Sequence, residues 1–331
     1  MNSAAGAYSR SAAVNVSTPS FTLPSFAKIN LSLRILGKRP DGYHEVETVL
    51  QTVSLHDELR FAANEGRDIV MSCDDPSIPT DESNLIVRAA NGLRTYYEVK
   101  SGAFISLEKR IPAKGGLGGG SSNAATTLIG LTQLWTLTPK FSELIEIAAG
   151  LGADVPFFLH GGLARAQGIG TQVLPLPDAV KQHLLIVSPR ANVSTVEAYK
   201  ALRVDALTTK NSDSILAISR SEGKSTDSHQ WLLPDQLENE FERVIFDIEP
   251  EIGRAKTALL QAGARGALLA GSGSSVFGIF ASQGAQQRAL KEIRTDSGWR
   301  IFPCVTLSRE EYFQAMGLCG TALLRSFNLG I

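Results

Sequence analysis

From Ala27 to Ile35, hydrophobic and polar positions alternate without a break. Ala27, Ile29, Leu31, Leu33 and Ile35 fall on one side, and Lys28, Asn30, Ser32 and Arg34 on the other. A period of two predicts a half-buried strand. Pro40, Asp41 and Gly42 interrupt it with turn chemistry, and residues 45–61 resume as strand. Residues 69–73 and 103–112 predict further strands. Residues 83–99 carry apolar positions at helical spacing after Ser83 and Asn84, a helix start. Beyond residue 112 the pattern predicts helices to about Trp135 and over 141–152, strands over 163–176 and 182–189, and a helix from Thr195. Residues 208–235 are polar and predict a loop-rich connection. A mainly helical stretch (241–263), a strand, glycine turn and strand (264–282), a helix (284–296) and a strand (299–308) follow. Strands and helices are interleaved throughout, with no evident repeat.

One stretch fits neither period. Five glycines lie between Gly115 and Gly120, followed by Ser121 and Ser122 and then a run of small and apolar residues. A helix start exposes unpaired N–H groups and partial positive charge. Glycines before it let backbone approach an anion closely and adopt positive φ. The combination is a phosphate cradle. It is not a Walker A loop, because Lys114 precedes the glycines, and it does not match the dinucleotide-binding fingerprint, because several strands and a helix come first. A flexible glycine linker would not run straight into a helix of this kind.

Composition narrows the class. The chain has 331 residues, 43% of them hydrophobic and 20% charged, with a formal net charge of -1. This is globular composition, long enough for two domains. Near-neutral charge argues against nucleic-acid or membrane-surface partners but not against one local anion site. Cys73, Cys304 and Cys319 are scattered, with neither disulfide nor metal spacing, so reduced thiols and a cytoplasmic location are expected. No apolar run reaches the length of a membrane span. The first residues lack a secretory pattern; both a transit peptide and a plain disordered extension fit them.

Four segments together are specific. Residues 112–125 ("PAKGGLGGGSSNAA") resemble the phosphate-loop motif of the GHMP kinases. Residues 27–53, 151–158 ("LGADVPFF") and 268–277 ("LLAGSGSSVF") resemble the remaining motifs of one branch, in the same order, over roughly residues 24 to 307. That resemblance implies an α+β, two-lobed fold: an N-terminal nucleotide-binding lobe, a C-terminal α/β sandwich lobe and a cleft between them. The expected boundaries are an extension over 1–21, the first domain over 22–178, the second over 179–308, and a tail of unknown role over 309–331.

The resemblance also assigns roles. Lys28 and Asp154 would be catalytic, Asp154 as general base and Lys28 as the cation that stabilises the transferring phosphoryl group. Locally, Asp154 before Pro156 also fits a helix N-cap. Pro112, Ala113, Lys114, Gly115, Gly116, Leu117, Gly118, Gly119, Gly120, Ser121 and Ser122 would hold ATP; Lys114 is equally read as exposed. Mg²⁺ would accompany the nucleotide, with no assigned protein ligand and Ser122 a candidate. Asn30, Tyr43, His44 and Thr195 would bind substrate, Tyr43 by stacking on a base and His44 by polar contacts. Ser194 and Thr195 read equally as helix caps. "AGSGSS" (270–275) would shape the cleft without chemistry of its own, and "ENEFE" (238–242) reads as a polar helix start. His56, His160, His183 and His229 show no ligand spacing. The implied substrate is a cytidylylated polyol phosphate. Rival readings are another kinase of the family, acting on homoserine, mevalonate or a sugar, and a catalytically silent nucleotide sensor. Oligomeric state is open.

Overall fold

The computed structural model describes residues 19–191, 193–202, 236–293 and 298–318. The predicted connection over 208–235 lies outside them, as does the extension up to residue 18.

Two strands carry the first lobe: β1 (Ser20–Lys38) and β2 (His44–Asn64). They pair antiparallel across the predicted turn. Strands β3 (Ile69–Cys73), β4 (Gly102–Glu108), β5 (Leu163–Gly168) and β6 (Gln172–Pro175) extend the sheet. β2 is long enough to serve two neighbours, pairing β4 with its C-terminal half and β5 with its N-terminal half. Helices α1 (Leu85–Tyr96), α2 (Gly119–Leu134), α3 (Phe141–Leu151) and α4 (Val155–His160) cover one face. From Ser122 to Thr132 every residue of α2 is buried, which fits a sequence of small and apolar residues without a charged side chain.

The second lobe is a four-stranded antiparallel sheet of β7 (His183–Ser188), β9 (Gly266–Leu269), β10 (Val276–Phe280) and β11 (Arg300–Val305), in the order β11-β7-β10-β9. Helices α5 (Thr195–Leu202), α6 (Glu242–Ile248), α7 (Pro250–Gln261) and α8 (Gln283–Ile293) pack with it. A two-residue strand, β8 (Glu238–Asn239), crosses back to pair parallel with β1 at Ser32 and Leu33. It replaces the helix start expected at 238–242.

The lobes share a core. Ala27, Ile29 and Leu31 of β1 pack with Leu184, Ile186, Phe277 and Ile279 of the second sheet. The predicted half-buried strand is therefore buried on both faces: Lys28 and Asn30 are only 3% exposed. Register shifts at Phe26/Ala27 and Asn30/Ser32 re-aim side chains along β1 beside these polar residues.

Two expected boundaries move. Ser20 and Phe21 belong to β1, with Phe21 stacked on Phe61, because β1 continues to the edge of the first core. The tail does not start a separate region at 309. Residues 309–318 include helix α9 (Arg309–Ala315), begun by a capping box of Ser308 and Glu311. Tyr312, Phe313, Met316 and Leu318 are buried in the first lobe's core. The Tyr312 hydroxyl donates to the carbonyl of Phe158 on α4 at 2.5 Å.

Candidate active site

The glycine loop is held open by its own backbone. Gly116 and Gly118 have φ of 75° and 70°. At Gly116 a Cβ would stand 1.9 Å from the Ala270 carbonyl oxygen, so only glycine lets the two glycine-rich turns meet. The Ser275 N–H donates to Gly115 O across the same contact at 3.1 Å. Gly118 begins α2 with no side-chain cap. The first intrahelical bond runs from Ser122 N–H to Gly118 O, leaving the amides of Gly119, Gly120 and Ser121 without a partner inside the helix.

Lys28 lies beside this helix start, its backbone N–H bonded to Leu117 O at 3.0 Å. Its Nζ donates to Asn30 Oδ1 at 2.7 Å. Asn30 Nδ2 donates to the Thr48 hydroxyl at 2.8 Å, and that hydroxyl donates to Ser32 O at 2.6 Å. The chain of bonds fixes which way the Asn30 amide points, so its oxygen faces the ammonium. From the other side Asp154 Oδ2 comes within 3.4 Å of Lys28 Nζ. Asp154 occupies the N-cap position of α4 but makes no capping hydrogen bond there. The local cap reading thus describes its backbone position and not its side chain, which reaches for Lys28 and keeps about a third of its surface exposed.

Two cavities adjoin beside this pair, which lines the larger of them. The larger, about 760 Å³, is lined by Lys28, Asn30, Tyr43, His44, Asp154 and Thr195 among others. The smaller, about 380 Å³, runs along the loop from Pro112 to Ser121 and is walled by Ile78, Leu85 and Leu107. Gly116, Gly118 and Ser121 line both. A molecule in each would meet at the start of α2, beside Lys28 and Asp154.

The expected residues divide. Pro112 and Leu117 are buried at the loop's base, with the Leu117 side chain in the core between the sheets. Ala113 and Lys114 are exposed on the rim of the smaller cavity. Ser122 lines neither cavity: its hydroxyl is fully buried and accepts from Ser25 at 2.8 Å, because it lies on the face of α2 turned to β1. Ser194 caps α5 through Glu197, whereas Thr195 faces the larger cavity with its hydroxyl 2.9 Å from that of Ser272. Tyr43 stands on the cavity rim, 62% exposed.

His44 stacks on Tyr199, ring centroids 4.3 Å apart, and Tyr199 meets Phe241 edge-on at 4.9 Å. All three rings line the larger cavity. Burial pushes the Tyr199 phenol up to about 12, and the Asp154 carboxylate adds to the rise. Partial burial, helped by the Lys38 ammonium, holds His44 below the ordinary histidine value. Sequence reading missed Tyr199, Phe241, Lys38 and Thr48; Tyr199 looked like any apolar position of an amphipathic helix. Of the other histidines, His160 is buried and pushed down to about 4 by desolvation, with Arg309 adding to it; His229 lies outside the described residues.

The GHMP kinases N terminal domain matches residues 84–162, and the GHMP kinases C terminal domain matches residues 224–297. A 4-diphosphocytidyl-2-C-methyl-D-erythritol kinase of Prosthecochloris aestuarii is 40% identical over 285 residues, covering 86% of this chain and 97% of that protein. The crystal structure of a 4-(cytidine 5'-diphospho)-2C-methyl-D-erythritol kinase superposes with a TM-score of 0.68 at 31% identity, over 86% of this chain and 99% of that one. A homoserine kinase of Cytophaga hutchinsonii, at 20% identity and a TM-score of 0.65 over 89% of this chain and 97% of that one, shares the fold.

Proposed function

The chain belongs to the 4-diphosphocytidyl-2-C-methyl-D-erythritol kinases of the GHMP kinase family, and on that premise we propose that it transfers the γ-phosphoryl group of ATP to the 2-hydroxyl of 4-diphosphocytidyl-2-C-methyl-D-erythritol. The products are the 2-phosphate and ADP, a step of the non-mevalonate route to isoprenoids. The observation that carries this reading is the Lys28–Asp154 pair, 3.4 Å apart, at the junction of two cavities.

Asp154 takes the proton from the substrate hydroxyl as its oxygen attacks the γ-phosphorus. The bond to the β,γ-bridging oxygen breaks, and that oxygen leaves with ADP. Lys28, oriented by Asn30, stabilises charge on the transferring group. The uncapped amides of α2 receive the nucleotide's phosphates, and the apolar wall of the smaller cavity takes its base. Among the described residues no group of three or more His, Cys, Asp or Glu could hold a metal by itself. Mg²⁺ fits as an ion carried by the nucleotide, with the Ser121 hydroxyl on both cavity walls the oxygen donor that would hold it. When bound it neutralises phosphate charge.

On the wall of the larger cavity, Tyr43, His44, Tyr199 and Phe241 favour a flat base. Homoserine, mevalonate and simple sugars carry no base to stack there, and a silent sensor has no use for the ion pair. The likeness to the homoserine kinase extends to the fold alone. No helix among the described residues is long and apolar enough to cross a membrane. Cys73 and Cys304 are free, in keeping with a reducing compartment. Release of ADP should require the cytidylylated erythritol. Release driven by mevalonate or homoserine instead would overturn the assignment.

The imidazole of His44 gives a pH signature. Burial and Lys38 disfavour its charged form, so its pKa lies below 6.5. The neutral ring, able to donate and accept, persists further into acid than that of a free histidine. The KM for the cytidylylated substrate should therefore begin to rise at a more acid pH than the titration of a free histidine would set. A steady-state pH series checks this; a rise starting near pH 7.5 would contradict it.

A further inference from the structure

The segment from Glu238 to Glu242 contributes no group to either reactant, apart from Phe241 on the cavity wall, yet it touches both walls of the cleft. Its central side chain, Asn239, is 6% exposed and lines neither cavity. Asn239 Nδ2 donates to Leu269 O at 2.9 Å and to Gly271 O at 2.7 Å. Asn239 Oδ1 accepts from the Phe241 N–H at 3.0 Å. Only one orientation of the amide satisfies all three, since the flipped group would set its oxygen against two carbonyls.

Each contact leads to a functional wall. Gly271 opens the second glycine turn; an atom at its Cβ position would lie 2.9 Å from Gly116 O and 3.4 Å from Lys28 Nζ. The turn it starts abuts the phosphate loop. On the other side Phe241 supports Tyr199, which stacks on His44. The backbone around Asn239 is tied to the strand that bears Lys28: Asn239 pairs with Leu33, and the Glu240 N–H donates to Leu33 O at 3.1 Å. Glu242 braces the same turn, accepting from Leu269 N–H at 2.9 Å and paired with Lys256.

We propose that Asn239 is a positioning residue for phosphoryl transfer: one carboxamide holds the Gly271 carbonyl that borders the phosphate end of the cleft and the Phe241 backbone that supports its base-binding end. The inference rests on the kinase reading above. A buried amide replaced by an apolar group leaves two carbonyls and one N–H without partners, and the turn and the aromatic tier lose their common reference. Both substrates should then be misplaced together.

The test compares wild type with Asn239→Leu, similar in shape but without hydrogen bonds, and with Asn239→Ser, which keeps one hydroxyl donor. Thermal unfolding first establishes that each is folded at the assay temperature. Wild-type turnover of ATP with the cytidylylated erythritol is the control; its absence would sink the kinase reading itself. With turnover present, the expected result for folded Asn239→Leu is a kcat lower by about 10- to 100-fold, with KM raised at least about threefold for both substrates. If Asn239→Leu does not fold, Asn239→Ser is judged by the same criteria. Values of kcat and both KM within about twofold of wild type would overturn the proposal. So would a lower kcat that matches a reduced fraction of titrated sites with both KM unchanged, or failure of both variants to fold, since each assigns Asn239 to stability alone.

Discussion

Asp154→Asn should lower kcat by about 10²- to 10⁴-fold, the usual contribution of a general base. The amide has the carboxylate's shape but takes no proton at neutral pH. The fold loses little with the charge: the side chain makes no capping bond to α4, Lys28 keeps its 2.7 Å bond to Asn30, and the amide oxygen of the variant still faces the Lys28 ammonium. Thermal stability should therefore stay near wild type. The KM for ATP should move by less than about threefold, because the phosphate site proposed above is the amides of α2 and not Asp154. Stopped-flow or steady-state kinetics with both substrates reads this directly. A kcat within tenfold of wild type would remove Asp154 from the role of base.

The second large effect belongs to Gly116→Ala. The added methyl would stand 1.9 Å from Ala270 O and 2.8 Å from Ala270 C. Both are backbone atoms of a packed turn, so neither yields by a rotamer change. The phosphate loop or the second glycine turn must shift by about an ångström, and misplacement on that scale costs about 10²-fold in rate. Positive φ adds about 1–2 kcal/mol of strain. The fall should be of order 10²-fold in kcat/KM for both substrates, since Gly116 lines both cavities. Gly263→Ala is the matched control: φ is 89° there but no atom lies within 4 Å of the new methyl. It carries the strain without the collision and should leave kinetics unchanged. Equal losses in both variants would show that backbone strain, not contact between the turns, governs Gly116.

Much of this site was legible because its signals are local. The glycine run before a small-residue helix needs no tertiary information, and the alternation at 27–35 already grouped Lys28 with Asn30. What the pattern did not show is that both faces of β1 are covered. A polar face normally meets water; here it meets the cleft and the start of α2 while the apolar face takes the second sheet, and burial depends on residues far away in the chain. The same distance hid the aromatic tier, since Tyr199 and Phe241 come from the second lobe and only the fold brings them to His44. Asp154 shows the opposite failure: its local sequence is a good cap signature, and the cap is not made because its backbone is already helical (φ -84°, ψ -12°) instead of extended. The tail was the plainest omission. Ser308 and Glu311 spell a capping box, and the apolar positions after it already announced a buried helix.

That helix bears on how the enzyme comes into being. Residues 309–318 leave the ribosome after both sheets, yet Tyr312, Phe313, Met316 and Leu318 fill the interior of the lobe that begins at residue 20. Tyr312 also bonds to α4, the helix that follows Asp154. The first lobe's own strands and helices are complete at Pro175, so its apolar socket stays open until residues 309–318 have been made, and the helix behind Asp154 gains this contact only then.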